Sequence, residues 1–87
     1  MGLPILDYAH PLHTFSTGNL TYTATKECYL CGTIYNKSIT INNNKVFQAS
    51  TVSILVPITK ISTGDVVTMG TESALINQDV LKIYEEL

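Results

Sequence analysis

The sequence predicts an all-β, antiparallel sandwich or barrel of about seven or eight short strands that associates with copies of itself. Three observations lead there. Turn-forming clusters recur along the chain, at Ser16-Thr17-Gly18-Asn19, Asn36-Lys37, Asn42-Asn43-Asn44, Ser62-Thr63-Gly64-Asp65 and Gly70-Thr71-Glu72, and the stretches between them are rich in β-branched residues and Tyr. The stretch from Cys28 to Tyr35 is apolar on both faces of a strand: Cys28, Leu30 and Gly32 alternate with Tyr29, Cys31 and Thr33. A small antiparallel sheet normally keeps one face wet, so such a strand asks for a second cover. Finally, 45% hydrophobic against 14% charged residues is a greasy balance for 87 residues, because a small domain has much surface to keep in water.

The elements follow in order. Residues 1–12 carry two of the three prolines and no usable period, yet Leu3, Ile5, Leu6 and Tyr8 are too apolar for a free tail. They read as an arm on a neighbour, the end of a stalk, or an edge strand of the same domain, which spans 13–87. A short strand over 13–15 precedes the first turn. Leu20, Tyr22 and Ala24 then alternate with threonines, a half-buried strand. After the strand 28–35, Ser38–Ile41 and Lys45–Gln48 flank three asparagines, a hairpin signal because Asn tolerates positive φ. Thr51–Ile58 is a β-branched run whose Pro57 lacks a ladder donor, so that part lies at an edge or a bulge. Strands over 66–69 and 80–84 follow, with 73–77 expected to pair between them. A terminal helix from Gln78 is disfavoured by Val80, Ile83 and Tyr84 and by two glutamates at its C-terminal end.

Composition excludes several functions. The net charge is −2, the five basic residues are scattered lysines and there is no arginine, so neither nucleic-acid nor anionic-membrane binding is expected. No apolar run reaches membrane-spanning length, and the N-terminus does not read as a signal peptide. Cys28 and Cys31 have C-x-x-C spacing but fall within a strand, where residues three apart face opposite ways, so they read as packing residues. His10 and His13 could meet a metal on a three-fold axis, but read more simply as polar surface, and no metal or other cofactor is expected. The acids lie in or beside turns like solvated loop carboxylates, and no nucleophile elbow or phosphate loop is present, so the chain does not read as an enzyme.

Several stretches together resemble the small C-terminal domains of phage and prophage tail-fibre or receptor-binding proteins: Leu3-Pro4-Ile5-Leu6-Asp7-Tyr8, Tyr22 to Tyr29, Ile39 to Asn43, Val56 to Lys60, Gly64 to Val67 and the closing Leu81 to Tyr84. Ile5-Leu6 intrudes between Pro4 and Asp7, Glu27-Cys28 stands where that family has Asp-Gly, and Asn43 where Gly is usual. The resemblance implies a jelly-roll-like sandwich of the tumour necrosis factor and complement type, a homotrimer in a virion tail or fibre, and loops that touch a cell-surface carbohydrate. No binding residue carries over from that family; this chain's own turns make Asn36, Lys37, Asn42, Asn43, Asn44, Thr71 and Glu72 the candidate ligand contacts, and its doubly apolar strand and β-branched run make Tyr29, Cys31 and Leu55 the candidate interface between copies. A structural virion or capsid-decorating subunit without a ligand is the alternative.

Overall fold

The computed structural model describes residues 3–70 and 73–87, and among them there is no helix. Eight strands form: β1 (His13–Thr14), β2 (Thr21–Thr23), β3 (Cys28–Tyr35), β4 (Ser38–Ile41), β5 (Asn44–Gln48), β6 (Ser53–Ile61), β7 (Val66–Met69) and β8 (Val80–Tyr84). Every pairing is antiparallel, in two four-stranded sheets ordered β1-β8-β3-β6 and β2-β7-β4-β5. The all-β antiparallel sandwich read from the sequence is therefore found. The terminal segment is strand, its Leu81 and Ile83 wholly buried in period-2 alternation with Val80, Lys82 and Tyr84.

The two sheets close on one core. Leu30, Ile34, Val56, Leu81 and Ile83 from the first sheet meet Ile39, Val67 and Met69 from the second, all essentially inaccessible to water. Each such side chain contributes about 1.5–3 kcal/mol of burial. The strand β3 lies between β8 and β6, so both its edges are paired, with Cys28, Leu30 and Ile34 buried inside and Tyr29, Cys31, Thr33 and Tyr35 half-buried outside. Pro57 sits where both of its expected exemptions hold. It is on edge strand β6, and between the pairs Gly32↔Val56 and Leu30↔Thr59 that strand carries one residue more than β3, a bulge.

The chain's two ends pair with each other. Leu6 bridges to Glu86, the Leu87 amide donates to the Ile5 carbonyl (2.8 Å), and the Asp7 and Leu12 amides donate to the Glu85 and Ile83 carbonyls (2.9 and 2.7 Å). Residues 5–12 thus run beside the domain's own last strand.

The β4–β5 connection is a two-residue loop with Asn42 and Asn43 both at positive φ (53° and 66°), the backbone of a tight twisted hairpin. Asn42 also ties this hairpin to the turn before β7. Its Nδ2 donates to Asp65 Oδ1 and its Oδ1 accepts from the Val66 amide, both at 2.9 Å. Asn43 makes no such tie in its own right, and Gly carries no Cβ penalty at its φ. Asn43→Gly is therefore expected to raise stability by about 0.5 kcal/mol, and Asn42→Gly to lower it by about 1–2 kcal/mol, both read from urea unfolding midpoints.

One expected strand is absent. Residues 73–77 form an irregular loop, because its polar groups turn inward to a buried lysine instead of a neighbouring strand.

Candidate interaction surface

The outer face of the first sheet carries an open groove. Rows of side chains cross it: Val80, Thr33 and Leu55 in one register, Lys82 and Cys31 in the next, then Tyr84, Tyr29 and Lys60. Two local choices hollow it out. Cys31 has a short side chain, and the bulge at Pro57 and Ile58 displaces the edge strand. The N-terminal segment supplies the opposite wall, with Tyr8 set edge-on to Tyr84 at 4.9 Å between ring centroids. The result is a groove of about 420 Å³ lined by Leu3, Tyr8, Cys31, Gly32 and residues 55–58. Leu3 and Leu55 are each 74% exposed and Tyr8 58%, so the segment narrows the groove without closing it.

The three residues expected between copies, Tyr29, Cys31 and Leu55, all point to this face. Sequence reasoning missed Leu3, Tyr8 and Ile58 as its neighbours. The signal for Leu3 and Tyr8 was the apolar character of residues 1–12, and for Ile58 the neighbouring Pro57, read as an edge or a bulge but not as the wall of a hollow.

The residues expected to touch a ligand are not brought together. Asn36 and Lys37 precede β4 while Asn42, Asn43 and Asn44 follow it, so they occupy opposite ends of that strand. Thr71 and Glu72 lie outside the described residues. Asn43 and Asn44 are exposed, whereas the side chain of Asn42 is engaged with Asp65 and Val66. The Asn42 amide, followed by the Ser62 amide, holds the Asp65 carboxyl below its usual range.

Lys37 requires a correction, because it is not a loop cation offered to a ligand. It is fully buried, and its Nζ donates to Asp79 Oδ2 (2.6 Å), Ala74 O (3.0 Å), Ser73 Oγ (3.1 Å) and Tyr35 O (3.1 Å). Asp79, expected to be a solvated turn acid, is buried with it and accepts the amides of Tyr35 (2.7 Å) and Ile76 (2.9 Å). Burial alone pushes the Asp79 carboxyl up. The Lys37 hydrogen bond, the two amides and the Lys37 charge outweigh that and bring it below the ordinary range. The pair locks the β3–β4 turn to the loop before β8, and a lysine is used because its long stem reaches across while the ammonium satisfies several acceptors at once.

Several other polar groups pair off at the surface. Lys60 pairs with Glu27 (3.1 Å) and Lys26 with Glu85 (3.2 Å), both exposed, and His10 lies 3.3 Å from Asp7. The His13 ring lies edge-on to Phe15 and tilted against Tyr22. Among the described residues no group of three or more His, Cys, Asp or Glu is placed to hold a metal ion. Both cysteines are free, Cys28 inside and Cys31 outside, and burial pushes each thiol up, away from the reactive thiolate. No helix among the described residues is long and apolar enough to cross a membrane.

Compared with family models, curated proteins and solved structures, the chain matches none.

Proposed function

We propose that this protein is a non-enzymatic jelly-roll module of a phage-type tail or fibre, which assembles as a homotrimer in the virion and binds a cell-surface glycan through exposed loops. The strand orders β1-β8-β3-β6 and β2-β7-β4-β5 support the jelly-roll part, since two interlocked Greek keys generate that alternation between sheets. The observation that carries the assembly is the outer face of the first sheet. Its Leu3, Tyr8, Leu55 and Val80 are each half or more exposed around an apolar groove, more grease in one place than scattered surface residues produce. Asn43, Asn44 and Lys45 form an exposed polar tip suited to sugar hydroxyls. Contacts there are shallow, so useful affinity depends on several copies engaging together.

A second reading, a structural virion subunit without a ligand, is favoured by one observation: Asn42, the central amide of the candidate tip, spends its hydrogen bonds internally on Asp65 and Val66. Native mass measurement and a glycan array distinguish the two. The proposal expects a species three times the 9.5 kDa chain and saturable glycan binding weakened by Asn44→Ala. A trimer that binds no glycan leaves the structural subunit, and a monodisperse single chain at micromolar concentration ends both.

A further inference from the structure

We infer that the occupant of the groove on the first sheet is a second copy of this chain, seated so that Leu55, Cys31 and Tyr8 become buried between copies. This rests on the self-association proposed above and names the side chains of that face that the contact buries.

Two physical considerations select a copy over other occupants. The first is area. With a fully exposed side chain of this size presenting roughly 150–200 Å², Leu3, Tyr8, Leu55 and Val80 at their exposures of 74, 58, 74 and 50% leave about 500 Å² of adjoining apolar surface in water. A stable interface buries about 800 Å² per partner, apolar at its centre and polar at its rim. The face has that arrangement, because the exposed Lys60–Glu27 and Lys26–Glu85 pairs lie outside the apolar centre. A small ligand would leave most of the 500 Å² wet.

The second consideration is the adjoining edge. The strand β6 is the longest in the protein and lies at a sheet margin, where it could in principle recruit a strand from another chain. Pro57 and the bulge beside it interrupt the row of donors and bend the strand. Continuous strand addition is thereby blocked, and contact between copies falls to the side chains of the face. Lys82, half-buried, is the cross-strand neighbour of Cys31 on this face.

The experiment measures native mass over a dilution series for wild type, Leu55→Asp and Val46→Asp, together with the rate at which an aromatic disulfide reagent labels Cys31. Both substituted positions are exposed, so neither change disturbs the core; circular dichroism checks this, and Val46 on β5 belongs to the other sheet. Cys28 is fully buried, so labelling of the folded chain reports Cys31. Leu55→Asp is expected to raise the dissociation constant at least about 100-fold, Val46→Asp to leave it unchanged, and Cys31 labelling to slow about tenfold or more as the wild-type chain assembles. If the wild type assembles but Leu55→Asp assembles equally and Cys31 labelling ignores concentration, the copies meet elsewhere: the inference falls while self-association stands. A wild type that stays a single chain overturns both. A single chain whose Cys31 is protected by added decanoate instead assigns the groove to small apolar ligands and overturns the inference.

Discussion

Gly32→Ala is expected to cost the domain at least about 4 kcal/mol, and so to leave it largely unfolded at ambient temperature if it starts near the low end of the usual 5–15 kcal/mol. Gly32 sits in the middle of β3 at φ +146°, a conformation that L side chains rarely adopt. A Cβ there would overlap the Val80 carbonyl oxygen and come within 2.9 Å of Leu81 Cα, both backbone atoms of the strand paired with it. Neither strand can give way, since β3 is flanked by β8 and β6, and β8 by β1 and β3. Gly18 provides the control. It also has positive φ (+88°), but a Cβ there would meet nothing within 4 Å, so Gly18→Ala is expected to cost only about 1–2 kcal/mol of backbone strain. Urea unfolding of the three proteins measures the difference; equal midpoints for the two variants would show that the sheet yields at Gly32.

Lys37→Met is the other substitution with a large expected effect, about 3–5 kcal/mol, because it strands the buried Asp79 carboxylate with only two amide donors. Asp79→Asn, which leaves the ammonium of Lys37 among carbonyls and a hydroxyl, is expected to cost a similar amount. The double variant should cost less than the two losses added together, since each single change leaves a charge that the other removes. The pH dependence has a definite sign. The folded Asp79 carboxyl lies below its unfolded value, so its contribution is fully present above the unfolded pKa of about 3.9 and is lost as pH falls through the lower folded value. Without Lys37 that depression is relieved, and the gap in stability between wild type and Lys37→Met should narrow in acid below about pH 4. A gap that is constant from pH 7 to pH 3 would mean that the pair does not hold the loop.

The contrast between what the sequence disclosed and what it hid follows interaction range. Strands were legible because period-2 burial is local: Leu81 and Ile83 announce β8, and Asn42-Asn43 announce a hairpin, from residues a few positions apart. Pro57 was equally readable, since a missing donor is a property of one residue. The Lys37–Asp79 pair was not, because its partners are 42 positions apart and each, taken alone, looks like a polar residue in a turn. The groove was half legible. Alternation set Cys31 beside Tyr29 on one face of β3, but the far wall comes from Leu3 and Tyr8, whose position depends on how residues 5–12 join the last strand.

That junction has a mechanical meaning. Ile5 and Leu87 are hydrogen-bonded neighbours in segments joined by an antiparallel bridge, so tension applied between these two ends does not shear the bonds along their length. It loads the bonds singly, first Leu87 to Ile5, then Asp7 to Glu85, then Leu12 to Ile83, as a zip is opened. The domain is therefore weakest against a pull that separates its own ends. A tether fixed to both termini would peel away the groove's N-terminal wall before the central strands bore any load.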